Sequence, residues 1–147
     1  MERTFVILKP NAVQRELVGE LISRFEKRGL KITALRMTVL SAEQAELHYA
    51  QHREKSFYSD LVSFITSGPS VLIVLEAENA VSVVRQMVGA TDPKDALPGT
   101  IRGDYANTLG HNMIHASDSA GAAIREIALF FTEEEIAKYT LSIRPWL

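Results

Sequence analysis

The chain has 147 residues, of which 46% are hydrophobic and 23% are charged, and its formal net charge is −2. These values are typical of one globular domain, and they exclude a general electrostatic attraction to nucleic acid. Cysteine is absent, which excludes disulfides and thiol chemistry and suits a reducing, cytoplasmic location. No apolar run approaches the ~20 residues needed to span a membrane, so we expect no membrane contact and no signal peptide.

Hydrophobic periodicity and capping residues predict an alternation of strands and helices. The expected elements, in chain order, are strand Thr4–Leu8, helix Asn11–Arg28, strand Lys31–Leu40, helix Ser41–Gln51, helix Phe57–Thr66, strand Ser70–Glu76, helix Asn79–Val88, an irregular segment Thr91–Leu109, a short strand ending at Met113-Ile114 and helix Ser119–Phe131. Ser41 and Gln44 fit a capping box. Long ordered loops are usually functional, so the irregular segment is a candidate part of a site.

This order predicts a ferredoxin-like, four-stranded antiparallel sheet with helices on one face. A flavodoxin-like parallel sheet is the alternative, but the two helices between Ser41 and Thr66 leave no room for the strand that it needs. We expect a single domain over residues 1–147. Its tail, residues 136–147, carries exposed aromatic groups and is expected to pack on its own domain or on a neighbouring subunit. In the last helix the expected core stripe is Ile124, Ile127, Ala128 and Phe131.

The segment Asn112–Ser119 concentrates the reactive groups. His115 follows a hydrophobic pair at the predicted strand-to-helix junction, where the backbone fixes it on both sides, as a nucleophile or a proton-transfer base requires. A structural histidine is the alternative. His111 and His115 have a spacing that binds zinc on helices, but the glutamate of the metalloprotease pattern is missing.

Four cations, Lys9, Arg53, Arg85 and Arg102, follow strand ends, lie at helix ends or fall in loops. Any three that converge would cradle a polyphosphate, because guanidinium groups bind phosphate oxygens in a bidentate way. Phe57 begins a helix and could stack on a flat ring. The chain has neither a P-loop nor a dinucleotide-binding glycine motif.

A neutral imidazole among such cations can attack a terminal phosphoryl group and carry it. Glu126 could hydrogen-bond one ring nitrogen of His115 and leave the other as the nucleophile, and Ser117 could place Glu126. The alternative is that Glu126, which falls off the expected core stripe, is only a surface charge.

Asn112-x-x-His115-x-Ser117-Asp118 resembles the active-site signature of the nucleoside diphosphate kinases, and the resemblance runs from Arg3 to about Glu135. Further stretches resemble the family in the same order: Phe5-x-x-x-Lys9-Pro10, His48-Tyr49, Ser67-Gly68-Pro69, Gly89-Ala90-Thr91-Asp92-Pro93 and Pro98-Gly99-Thr100-Ile101-Arg102-Gly103-Asp104. The resemblance implies a ping-pong kinase in which ATP phosphorylates His115, ADP leaves, and a second nucleoside diphosphate takes the phosphoryl group.

The resemblance also implies roles for particular residues. Six residues would bind the phosphates and the sugar or lie around His115: Lys9, Tyr49, Arg85, Thr91, Arg102 and Asn112. Phe57 would stack on the base beside Leu61 and Leu109, and stacking alone would give little base selectivity. Mg²⁺ would bridge the phosphates, mostly through water, with Asp118 reaching it indirectly. The family is homo-oligomeric, as a hexamer or tetramer, and nucleic acid is not an obligatory partner.

Three departures from the family pattern stand out. Ala116 replaces a usual glycine, which would matter if that position needed a positive φ. Ser56 replaces a usual proline before Phe57, and Asn11-Ala12 replaces a usual Asp-Gly. The competing hypotheses are a regulatory ligand-binding domain, because this fold serves many roles, a nucleic-acid-binding protein, and an inactive relative kept for assembly.

Overall fold

A computed structural model describes residues 1–147. Its four strands form one antiparallel sheet in the order β2-β3-β1-β4, so the predicted antiparallel sheet is confirmed and the parallel alternative is excluded. The strands are β1 Glu2–Leu8, β2 Lys31–Thr38, β3 Ser70–Ala77 and β4 Ile114–Ala116. The helices are α1 Pro10–Gln14, α2 Val18–Lys27, α3 Ala42–His48, α4 Tyr58–Ile65, α5 Ala80–Val88, α6 Ile101–Tyr105 and α7 Ala120–Phe130.

Helices cover both faces of the sheet, so the expectation of helices on one face is wrong. The central strands β1 and β3 are buried on both sides, as their continuous apolar runs require. One core joins Val6 and Leu8 to apolar residues of α2 and α5. The other core joins Phe5 and Ile7 to residues of α3, α4 and α7.

The predicted helix Asn11–Arg28 is two helices, because Glu16 lies in the left-handed region with φ 58°. The Leu17 amide donates to the Ala12 carbonyl at 3.0 Å and closes the turn before α2 begins. The apolar positions on either side of the break still pack on one core, so hydrophobic period alone did not reveal it. The Ser41–Gln44 capping box is confirmed, although α3 ends at His48.

The core stripe predicted for the last helix is wrong in part. Ile124 is 73% exposed. The buried residues of α7 are Ala122, Ala123, Glu126, Ile127 and Phe130. Glu126 is therefore on the inner face of the helix, where it is 6% exposed, and the surface-charge alternative is excluded.

Edge strand β2 leaves an apolar row uncovered. A bulge between Ile32 and Ala34 shifts the register, after which Leu35, Met37 and Val39 are 53%, 58% and 56% exposed. The chain's own tail covers only the start of this edge.

Within that covered part, the Ala137 amide donates to the Thr33 carbonyl at 2.7 Å. The Lys31 Nζ donates to the Tyr139 carbonyl at 2.6 Å, while Trp146 remains 87% exposed. The tail thus packs at least partly on its own domain. None of the helices is long and apolar enough to cross a membrane.

Candidate active site

A pocket of about 570 Å³ opens where β1 ends and β4 begins, between α4 and the segment that carries α6. Every residue predicted to bind nucleotide or metal lines it, together with His115. These residues are Lys9, Tyr49, Phe57, Leu61, Arg85, Thr91, Arg102, Leu109, Asn112 and Asp118. Arg53 does not line the pocket and is exposed, so it is not among the converging cations.

His115 lies in the middle of β4, not at the strand-to-helix junction, and pairs with Ile7 of β1. Its side chain is 23% exposed. The ring Nε2 donates to Glu126 Oε1 at 2.8 Å, because a buried carboxylate accepts and fixes the tautomer. The other nitrogen, Nδ1, keeps its lone pair. His111 is not on a helix with His115, so the zinc spacing brings no site together.

Ser117 secures Glu126 from behind. Its Oγ donates to Glu126 Oε1 at 2.7 Å and accepts from the Phe5 amide at 3.2 Å. Burial raises the pKa of Glu126, but the hydrogen bond and charge of His115 and the Ser117 hydrogen bond outweigh it, so this pKa lies below its usual value. Glu126 is therefore ionised at neutral pH.

A strained turn precedes the histidine. Met113 is fully buried at φ 74°, a conformation that costs a side chain of this kind on the order of 1–3 kcal/mol. The Ile114 amide donates to the Asn112 carbonyl at 2.9 Å, and the Lys9 amide donates to the Met113 carbonyl at 2.8 Å. This turn aims the Asn112 side chain at Lys9 and exposes backbone carbonyls to Arg102.

The three cations are held by neutral acceptors and not by carboxylates. Lys9 Nζ donates to Asn112 Oδ1 at 2.9 Å. Arg102 donates to the carbonyls of Asn112, Gly89 and Ile114 at 3.3, 3.1 and 2.7 Å. Arg85 donates to the Ala116 carbonyl at 3.3 Å. Their positive charges therefore remain available to an anion.

Burial and mutual repulsion act on these cations. Burial, helped by the charge of Arg102, lowers the pKa of Lys9 to about 8. Burial and the neighbouring Arg85 lower the pKa of Arg102 to about 10. Both shifts show positive charge concentrated in a desolvated space, which a polyphosphate would neutralise.

The outer end of the pocket is apolar. Phe57 and Leu109 are 46% and 57% exposed although both are large hydrophobic residues, and Leu61 lies beside them in the lining. Deeper in, burial and then the charge of Glu126 raise the pKa of Tyr49 to about 12. The pocket thus has a charged end near His115 and an apolar mouth.

Sequence reasoning missed some lining residues: Gln51, His52, Asp60, Gly110 and Ile114. The spacing of Asp60 from Phe57, one helical turn, was a usable signal. Sequence reasoning also assigned no role to His48, whose ring packs 4.5 Å from the His115 ring, centroid to centroid.

The fold and this pocket define an enzyme of the phosphoryl-transfer class, since one oriented imidazole faces cations without carboxylate partners. The family model of nucleoside diphosphate kinase matches residues 2–136. A nucleoside diphosphate kinase of Archaeoglobus fulgidus is 55% identical over 147 residues, which is 100% of this chain and 97% of the relative. One of Thermus thermophilus is 59% identical over 136 residues, which is 92% of this chain and 99% of the relative.

Solved structures agree. A halophilic nucleoside diphosphate kinase from Halobacterium salinarum, in complex with CDP, superposes with a TM-score of 0.97 at 50% identity and covers 99% of this chain and 97% of its own. The chain belongs to the nucleoside diphosphate kinase family and is an enzyme. Membership implies a requirement for a divalent cation.

Ala116, where the family usually has glycine, is accommodated. It is paired with Val6 in the sheet and is 2% exposed in a core. The side-chain-bearing residues with positive φ are Glu16, Asn79 and Met113. Because Ala116 is not among them, its methyl group causes no backbone strain.

Proposed function

We propose that the enzyme moves the terminal phosphoryl group of a nucleoside triphosphate, typically ATP, to a nucleoside diphosphate through a phosphohistidine on His115. The observation that carries this proposal is the 2.8 Å bond from His115 Nε2 to Glu126, with the ring still part of the pocket lining. A fixed tautomer leaves Nδ1 as the nucleophile, and the carboxylate stabilises the charge that the ring gains.

In the first half-reaction the Nδ1 lone pair forms a bond to the γ-phosphorus. The bond from that phosphorus to the bridging oxygen breaks, and its electron pair leaves with ADP. The Nε2 proton stays between His115 and Glu126. The second half-reaction reverses these steps with a different diphosphate as acceptor, which is a ping-pong mechanism.

Lys9, Arg85 and Arg102 bind the phosphate oxygens, and Thr91, Asn112 and Tyr49 bind the remaining phosphate and sugar groups. The divalent cation is Mg²⁺, which would reduce the negative charge of the phosphates. The residues present fit it: Asp118 and Asp60 both line the pocket and offer carboxylate oxygens. The buried trio His48, His115 and Glu126 is rich in nitrogen and fits Mg²⁺ poorly.

Phe57 and Leu109 bind the base between them, with Leu61 alongside. All three are apolar, so they offer a stacking surface without hydrogen bonds to base edges. This arrangement supports low base selectivity.

The protein acts as a homo-oligomer in the cytoplasm, as a single domain over residues 1–147. Support for the assembly comes from β2, whose exposed apolar row lies at a sheet edge, a feature that proteins usually cover. Support for the location comes from the absence of cysteine.

A regulatory binding domain would need the pocket, but it would have no use for the chain of hydrogen bonds from Ser117 through Glu126 to His115.

The test is to incubate the protein with γ-labelled ATP and Mg²⁺ without acceptor and then add GDP. We expect acid-labile, base-stable label on the protein that moves to GTP. His115→Ala should take no label. His111→Ala is the matched control, because His111 is exposed and outside the pocket lining, and it should label normally. Nucleotide binding without labelling of the unmodified protein would refute the phosphohistidine.

A further inference from the structure

His48 lies directly behind the proposed nucleophile. It is the last residue of α3, and its ring stands perpendicular to the His115 ring, at 88°, with the centroids 4.5 Å apart. Tyr49 and Phe130 pack on its other sides, with centroids at 4.8 and 5.9 Å. His48 does not line the pocket, so it touches the nucleophile and not the nucleotide.

The His48 ring is neutral at working pH. Burial, followed by the nearby His115, lowers the pKa of His48 to about 3. Its Nδ1 is buried without a hydrogen-bond partner. A buried polar atom without a partner is destabilising, so leucine or phenylalanine would serve hydrophobic packing alone better than histidine does.

The charge of the neighbouring ring changes during the reaction. This step rests on the proposed function. When His115 Nδ1 bonds to phosphorus and ADP leaves with the bridging electron pair, Nε2 keeps its proton toward Glu126. The imidazole therefore becomes a cation. The two rings are in edge-to-face contact, and a nitrogen of His48 lies within 4.8 Å of a nitrogen of His115. The neutral His48 ring has an electron-rich face and one nitrogen lone pair, and each of these attracts a neighbouring cation.

We propose that His48 is a positioning residue that stabilises the phosphorylated form of His115 over the free form. It packs against the ring in both states, but its attraction is strong only when the ring is charged. The differential effect falls on the equilibrium between free and phosphorylated enzyme, not on nucleotide binding.

The test measures the equilibrium constant for enzyme plus ATP giving phosphoenzyme plus ADP, from labelled phosphoenzyme at several ATP-to-ADP ratios. We expect His48→Leu and His48→Gln, which remove the aromatic ring at similar size, to lower this constant about two- to thirtyfold, the range of cation–aromatic contacts from exposed to desolvated sites. The dissociation constant for ADP on the unphosphorylated enzyme should stay within about twofold of its original value.

Phe130→Leu is the matched control. Phe130 packs on both Phe5 and His48 and is 5% exposed, so it shares the packing role without facing the reacting ring. It should lower thermal stability and leave the phosphorylation equilibrium unchanged. If all three variants change the equilibrium equally, or if none does, His48 only packs and the proposal is overturned.

A measurement on the unmodified protein keeps the test decisive if the variants fold poorly. With ¹⁵N-labelled histidine, the ring nitrogens of His48 should shift when His115 is phosphorylated, while those of the exposed His111 should not. An unchanged His48 signal overturns the proposal. A protein that never takes label at all would instead refute the phosphohistidine itself, so the two failures are distinguishable.

Discussion

At the scale of single residues, the orientation of His115 depends on a carboxylate that comes from a different element. Glu126 is one residue of α7, it is absent from the pocket lining, and yet it accepts the hydrogen bond that fixes the imidazole. Its effect should therefore appear in the chemical step and not in nucleotide binding.

We predict that Glu126→Gln lowers kcat about 3- to 30-fold, the loss expected when a charged hydrogen bond becomes a neutral one, with KM changed less than about twofold. Steady-state kinetics with ATP and a diphosphate acceptor measure both constants. Glu133→Gln, an exposed glutamate far from His115, is the control and should match the original enzyme. A kcat within a factor of two of the original would count against the assigned role.

Lys9 should make the affinity for ADP depend on pH. Its pKa lies near 8 in the free enzyme because burial and Arg102 disfavour its charge, and bound phosphates would favour that charge. Nucleotide binding should therefore raise this pKa, so ADP affinity should fall as the pH rises through about 8, and binding near that pH should take up a proton.

Calorimetry in two buffers with different ionisation enthalpies at about pH 8.5 measures this proton uptake. Lys9→Arg, which stays charged over the whole range, should bind without proton uptake. Equal uptake by the variant and the original protein would assign the proton to another group.

At the scale of elements, the short helix α6 sets the position of Arg102. Its Thr100 cap accepts from the Gly103 amide at 3.0 Å, and the chain passes so closely that a Cβ on Gly103 would lie 2.0 Å from the Leu97 carbonyl oxygen. The Leu97 carbonyl oxygen belongs to the backbone and cannot move aside as the end of a flexible side chain can. Position 103 therefore requires glycine.

We predict that Gly103→Ala destabilises the protein by about 1–3 kcal/mol, as overpacking does, and raises KM for nucleotides because Arg102 moves with α6. Gly19→Ala, in α2 with nothing within 4 Å of the added methyl, should be neutral or stabilise by up to ~1 kcal/mol. Denaturant unfolding and steady-state kinetics test both. Equal stability of the two variants would show that α6 can shift without cost.

At the scale of the whole molecule, the part of edge strand β2 that the tail leaves open exposes apolar side chains that another subunit could cover. Leu35 and Met37 form its exposed row, which Val39 continues just beyond the strand. The start of the same strand is occupied by the chain's own tail. The homo-oligomer that we propose would bury this row.

Met37→Glu should therefore reduce the molecular mass measured by size-exclusion chromatography with light scattering, because a carboxylate buried in an apolar contact is strongly unfavourable. Ile124→Glu is the matched control, since Ile124 is 73% exposed on α7, away from that edge. The control should keep the original mass. If Met37→Glu keeps it as well, the assembly uses another surface.

Much of the fold followed from local pattern, and the misses have identifiable causes. Continuous apolar runs predicted β1 and β3, and capping residues predicted the start of α3. The break at Glu16 depends on one backbone angle, which hydrophobic period does not encode. The buried face of α7 was misjudged because small alanines, and not Ile124, lie nearest the sheet.

The sequence by itself determined the family resemblance, the four-stranded antiparallel sheet and the identity of most residues around the pocket, because these depend on residue type and order along the chain. Only the tertiary structure decided which groups meet. It brought Glu126 of α7 to the His115 ring of β4 and Ser117 to Glu126. It also excluded Arg53 and set His48 behind His115. Such contacts join residues far apart in sequence, and their distances follow from packing on two faces of one sheet, which no local pattern specifies.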